Sequence, residues 1–316
     1  MTSAASRALG ALAPAGHARP NGLLTPALLA VNGTLIAGIY AFAKVAGTHG
    51  IAALGVLAWQ VLFAAIVMMA VVALRGELPR LTGANLRYAG VAGLLGITGP
   101  NLVTFAALAH LPAGLIGVIT ALSPLFTYAL ALMLRVERPS ALRAAGVVLG
   151  LAGVLAIVLP RGALPTPDAL PWALLAIAAP LLLAGGNVFR SLAWPRDLKP
   201  MSAAALLLVL QALLLVPAAV AMGQFEAPRA LLRQQDVALL GAGALTAAFY
   251  LGAFELQKRG GPVVVGQLGY VITIASLAIG MLAFGERYPA GTFVAVAVVL
   301  AGVALVNRRP VDRASA

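Results

Sequence analysis

Apolar residues run through this chain in blocks of about 20, the length at which a helix crosses the hydrocarbon core of a bilayer. Ten such runs can be placed, over 24–45, 52–74, 88–109, 113–134, 144–159, 172–194, 201–222, 237–257, 262–284 and 290–307. The pattern predicts an all-α polytopic membrane protein with ten transmembrane helices. The segments between runs, among them RGELPRLTGANLR, RVERPSALR, PRGALPTPDALP, WPRDLKP and GQFEAPRALLRQQD, collect the charge, Pro and Gly that end helices. The weakest division is HLPAG, around Pro112. Residues 1–22 lack the sustained apolar core of a secretory signal and are expected to form a disordered cytoplasmic tail, with a second tail at 309–316.

Composition makes lipid the partner of this surface. Of 316 residues 62% are hydrophobic and 9% charged, against about 25% charged in a soluble domain. Nine acidic and 21 basic side chains cannot coat a soluble globule of this size. The net charge of +12 could suggest nucleic acid, but its distribution excludes that partner, because the charges sit at the ends of apolar runs. With the amino terminus taken as cytoplasmic, the inner segments carry 16 Lys and Arg and the outer ones five, namely Lys44, Arg161, Arg229, Arg233 and Arg287. That bias predicts that both termini are cytoplasmic.

Common enzyme chemistry is missing. There is no Cys, and His17, His49 and His110 are scattered, so neither thiolate nor clustered imidazole metal ligation is expected. Lys44, Lys199 and Lys258 are the only lysines and none follows Gly, which removes a phosphate-binding loop of the Gly-Lys type. No cofactor is expected.

A shift of 149 residues lays Glu137-Arg138 on Glu286-Arg287 and LAGV at Leu151–Val154 on LAGV at Leu300–Val303. Leu102, Phe105, Gly117 and Ala141 then meet Leu251, Phe254, Gly266 and Ala290. One offset across successive runs is a repeat, with residues 23–160 as the first five-helix half and 171–308 as the second. Five is odd, so the halves enter the membrane from opposite sides as inverted repeats, an arrangement common in secondary transporters. Glu286, in FGERYPAG, is expected at the turn between the last two helices, in a structural role.

FGER followed by VVLAGVALV, with RVERPSALRAAGVVLGLAGV in the first half, resembles the EamA group of the drug/metabolite transporter superfamily over nearly the whole chain after the tail. Within it the sequence looks most like YddG-type amino-acid exporters. The resemblance implies a ten-helix exporter of two five-helix repeats. The Pro that the group commonly shows in its fourth helix is present at Pro124, whereas its equivalent in the ninth is Thr273. No acidic residue occupies the first run, where small multidrug relatives carry one.

Polar side chains inside apolar runs mark the interior, because lipid does not solvate them. The candidate substrate-binding residues are Asn32, Tyr40, Trp59, Gln60, Asn101, Asn187, Gln211, Tyr250, Gln267 and Tyr270. Asn32, Ile36, Tyr40 and Lys44 recur every four residues, and Gln267, Tyr270, Thr273 and Ser276 every three, so each set forms a stripe on a helix. Lys44, Arg190 and Glu255 lie toward run ends, where snorkelling to the rim is the expected behaviour. Such a cavity suits a neutral or zwitterionic small molecule. The fifth and tenth runs have no polar side chain in their middles and are expected at the periphery, on the face that a homodimer would use. The reading is an alternating-access exporter of small metabolites, amino acids including aromatic ones. A carrier of drugs or nucleotide sugars, and a polytopic membrane enzyme or receptor, are the alternatives.

Overall fold

The computed structural model describes residues 24–135, 137, 139–158, 167–225 and 233–307, with the side chains at 157, 158, 167, 254, 255 and 257–266 excepted. Both tails and the side chains of Glu255, Lys258 and Arg259 therefore lie outside the described residues. Secondary structure within them is helical, without strands. Helices α1 (Leu24–Thr48), α2 (Ala53–Leu74), α3 (Gly83–Gly93), α4 (Gly99–Leu108), α5 (Ala113–Thr120), α6 (Ser123–Met133) and α7 (Ala141–Val158) form the first half. The second comprises α8 (Leu170–Ala176), α9 (Ala178–Ala193), α10 (Pro200–Ala221), α11 (Gln234–Gly266), α12 (Leu268–Phe284) and α13 (Ala290–Asn307).

Eight rods among the described residues are long and apolar enough to cross a bilayer, and two shorter apolar helices, Ala141–Ala156 and Leu268–Phe284, accompany them. Their outward faces are greasy: Leu282 is 88% exposed, Val148 68% and Leu213 66%. Such a surface is stable only against lipid, so this is a multi-pass membrane protein.

Local chemistry explains the interruptions. The Thr82 hydroxyl caps α3 by accepting the Asn85 N–H at 3.2 Å. Between α3 and α4 the chain makes a π-helical turn, Leu94–Thr98, and the Gly99 N–H reaches back to the Leu94 carbonyl. Pro100 follows at once; lacking an N–H, it cannot continue the α-helical ladder, and the wider turn accommodates the break. In the second half the expected division near 258–261 is instead helical, and the chain breaks at Gln267 between α11 and α12. Gly260 and Gly261 lower helix propensity by only about 1 kcal/mol each, which does not by itself stop a helix.

The principal contacts follow the 149-residue equivalence. Helix α1 packs on α11 and α12, and its equivalent α9 packs on the α3–α4 rod and α6. Equivalent spans also pair directly: α2 with α10, α5 of the fourth span with α12 of the ninth, and α7 with α13. Each pair runs antiparallel. Gly55 at the start of α2 abuts the Gln224 carbonyl beyond the end of α10, while Glu77 beyond the end of α2 meets Lys199 and Ser202 at the start of α10. Gly114 lies near Leu277 and Gly117 against Ser276, whereas Ala121 lies near Gly269.

The α7–α13 pair sits at the edge and touches the rest mainly through α6. Its backbones nearly touch: a methyl group on Gly302 would lie 2.6 Å from the Gly146 carbonyl oxygen and the Gly150 nitrogen. This is the small-residue packing that membrane helices use in place of a hydrophobic driving force. The glycine-lined faces of the two peripheral helices are thus filled by each other. A second copy could meet only their opposite faces, where Leu142, Val148, Leu155 and Val294 are exposed.

Candidate functional site

At one end of the bundle, Gly285 closes α12 with a left-handed φ of 63°, a conformation that glycine adopts without the usual Cβ penalty. The Glu286 N–H then bonds back to the Gly280 carbonyl at 3.0 Å. This turn sends the Glu286 carboxylate into the bundle, where it pairs with the Lys44 ammonium near the end of α1. It also accepts the N–H groups of Ala113 at 2.8 Å and Gly114 at 3.4 Å, at the start of α5, and the Tyr288 hydroxyl. Lys44 donates further to the Leu111 carbonyl at 3.4 Å. Two glycines make room, because a methyl group on Gly280 or Gly114 would collide with the Glu286–Tyr288 pair.

One carboxylate therefore ties α1, the α4–α5 connection and the α12–α13 turn into a latch. Burial alone would raise the Glu286 pKa. The Lys44 ammonium, the Tyr288 hydroxyl and the Ala113 N–H outweigh it and hold the carboxyl below its ordinary range. Burial and the adjacent carboxylate push the Tyr288 phenol up. Glu286 does lie at the expected turn, and Lys44, expected to snorkel, is a latch partner.

The equivalent positions in the other half do not repeat this device. Subtracting 149 from Glu286 and Tyr288 gives Glu137 and Pro139, and adding it to Lys44 gives Ala193. With Ala193 and Pro139 in place of the Lys44 and Tyr288 counterparts, Glu137 pairs with Arg143 at 3.2 Å, its carboxylate 48% exposed. The contacts at that end join other elements, through Lys199–Glu77 at 3.0 Å and Asn85–Asp197 at 3.3 Å.

Between the two ends lies a polar interior. Gln211 of α10, 1% exposed, accepts the Thr98 hydroxyl at 2.5 Å from the π turn and donates to the Gly90 carbonyl at 3.4 Å. Gly93 leaves the space its amide fills. One turn along, Gly96 leaves space for the Arg190 guanidinium, whose Nη1 would lie 3.0 Å from a methyl group placed there. Arg190 donates to Asn187 Oδ1, and the Asn187 amide faces the Thr127 hydroxyl of α6 at 3.5 Å. The guanidinium also acts electrostatically on the hydroxyls of Tyr88 and Tyr250. Arg190 does not snorkel. Helix side chains lean toward the helix N-terminus, which in α9 carries this one away from the near rim and toward the middle of the bundle.

The expected site residues divide accordingly. Asn187, Gln211 and Tyr250 gather around the π turn and Arg190. Asn32, 0% exposed, donates to the Leu28 carbonyl at 2.8 Å and packs on Gly252, leaving its Oδ1 without a protein partner. The Tyr40 hydroxyl meets the Thr120 hydroxyl at 3.2 Å. Gln60 is buried with its Oε1 unpartnered. Asn101 turns back to the Ile97 carbonyl at 2.8 Å. Three residues lie apart: Trp59 stacks on Phe225 at the latch end, Gln267 is exposed at the α11–α12 break, and Tyr270, half-buried near the start of α12, lies beside Asn307 at the end of α13. The stripe to which Gln267 and Tyr270 belong continues into Thr273 and Ser276, which pack on α5 at Gly117 and make a helix interface.

This architecture is that of a helical membrane protein of two like halves around a polar core, with a largely buried ion pair at one end. Sequence comparison names the class: matches to a model described as the EamA-like transporter family cover residues 24–159 and 170–308. The chain belongs to this family. A solved structure titled only as the crystal structure of a protein is similar, with a TM-score of 0.60 and 21% identity over 88% of this chain and 94% of that one. At that identity the likeness is one of fold. No curated protein matches the sequence.

Proposed function

We propose that the protein is a secondary transporter that exports small metabolites, amino acids including aromatic ones, across the bacterial inner membrane by alternating access. Ten membrane-crossing helices form two inverted repeats, a reading that the antiparallel pairing of α2 with α10, α5 with α12 and α7 with α13 supports. Both termini are cytoplasmic by the charge bias, which places the Glu286 latch on the outer side. The observation that carries the proposal is the inequality of the two ends: a buried ion pair seals the outer one, and its equivalent at the inner one is missing. Such a molecule rests with its polar interior closed outward and loads from the cytoplasm.

The substrate sits near the middle of the bundle between the repeats, among Gln211, Asn187 and Tyr250, with the buried carboxamides of Asn32 and Gln60 as further polar groups. The test is a counterflow screen of amino acids in proteoliposomes, with and without a pH gradient. Exchange of labelled amino acid above the level of protein-free vesicles is expected. Exchange of other solute classes only would replace the substrate assignment, and absence of any exchange would remove the transport reading.

A further inference from the structure

We propose that Arg190 is the anion-recognition residue of the interior and selects substrates that carry a carboxylate. The inference rests on the transport reading and adds to it the chemical group that the site requires. Arg190 is half-buried among elements of both halves, with Gly96 of the π turn beneath its Nη1, Asn187 on its own helix and Tyr250 of α11 within electrostatic range. Near contact of Gly186 with the backbone of Gly96 brings α9 and the π turn together at this point. Among the described residues no carboxylate pairs with it.

A guanidinium in a membrane interior is costly unless water or an anion meets it. Its planar fork matches a carboxylate, which can accept two parallel N–H bonds. Asn187 occupies one edge of the guanidinium through Oδ1, leaving the remaining N–H groups for a ligand. No carboxylate of the described interior stands ready for an ammonium, since Glu286 is engaged in the latch. Recognition through the Arg190 fork therefore depends on the acid group of the substrate.

The test uses the full-length protein in lipid nanodiscs and reads ligand-induced shifts in thermal unfolding, titrated with L-phenylalanine, 3-phenylpropionate, 3-phenylpropionamide and 2-phenylethylamine. Both acids should bind about ten- to one-hundred-fold more tightly than the amide and the amine, as expected when charge-assisted hydrogen bonds are lost. Arg190→Gln should erase that preference. Arg190→Lys, which keeps the charge but not the fork, should retain a weakened preference and guards against a folding defect in the first variant. Equal binding of acid and amide by the natural protein, failure of both acids to bind, or an unchanged preference in Arg190→Gln would overturn the inference. Counterflow of the same preparation separates the two readings. Movement of amines or neutral solutes but not acids would leave transport standing without the anion site, and acid binding through Arg190 without movement of any solute would do the reverse.

Discussion

Lys44 and Glu286, 242 residues apart in sequence, form a largely buried ion pair that joins the end of α1 to the turn between α12 and α13. Their side chains are 16% and 9% exposed, so removing one partner strands the other in a poorly solvated place. Such losses cost about 3–5 kcal/mol, whereas replacing both partners by neutral groups costs much less. Glu286→Gln or Lys44→Met alone should therefore loosen the latch more than the two together. The natural chain has no cysteine, so Thr120→Cys, placed beneath the latch beside Tyr40, reports on it. Labelling by a membrane-impermeant thiol reagent from the latch side should be slow in the natural background and at least about ten-fold faster in either single variant. Equal rates would show that the pair closes nothing.

The latch should persist through mild acid. The folded-state pKa of Glu286 is depressed, so its stabilisation is fully present above the unfolded carboxylate value, about 4.3, and fades as pH falls through the lower folded value. The difference in unfolding temperature between the natural protein and Glu286→Gln should stay constant from about pH 8 to pH 5 and narrow only below about pH 4. Narrowing between pH 7 and pH 5 would mean that the carboxyl is held above its ordinary range, against the structure.

Gly280→Ala should mimic the loss of the pair without touching either charge, because the added methyl collides with the Glu286 carboxylate and crowds the Tyr288 hydroxyl. Gly291→Ala, five residues beyond Glu286, meets nothing within 4 Å and is its control. With the Thr120→Cys reporter in place, the first should speed labelling and the second should leave it unchanged. Unchanged labelling in both would mean that the carboxylate can relocate without opening that end.

At the periphery, Gly302→Ala must push apart backbones that a methyl would approach to 2.6 Å, while Gly90→Ala meets nothing within 4 Å. The first should lower stability by about 1–3 kcal/mol, the usual cost of overpacking. The second should be neutral or slightly stabilising through helix propensity. Thermal unfolding in nanodiscs compares them, and equal midpoints would contradict the close packing of α7 and α13.

Much of this fold is legible in the sequence because lipid imposes it. Runs of apolar residues mark the rods, and the 149-residue offset carries Ala141–Val158 onto Ala290–Asn307, the bounds of two helices. Pro100 foretells an interruption, though not that a π turn would absorb it. The site is less legible, for reasons particular to each residue. A three-residue spacing marks one face of a helix without saying whether a cavity or another helix lies opposite, and for Thr273 and Ser276 it is another helix. Arg190 falls near the end of a run, which suggests snorkelling, yet the N-terminal lean of helix side chains would have pointed it inward. The Glu286 partnership needs a contact between the first and last helices that no local pattern encodes. The topology did place Lys44 and Glu286 at the same end, and that was the available signal.

Solute crosses only if the Glu286 end opens and closes, and a reversible cross-link between the two latch positions puts this to the test. In the otherwise cysteine-free chain, Lys44→Cys combined with Glu286→Cys replaces the ion pair by two thiols that a short bifunctional methanethiosulfonate can bridge. Counterflow in proteoliposomes should proceed in the reduced double variant, fall to the level of protein-free vesicles on bridging, and return on reduction, while each single-cysteine variant is unaffected by the reagent. Undiminished counterflow through the bridged protein would contradict the account, because solute would then be crossing with that end fastened shut.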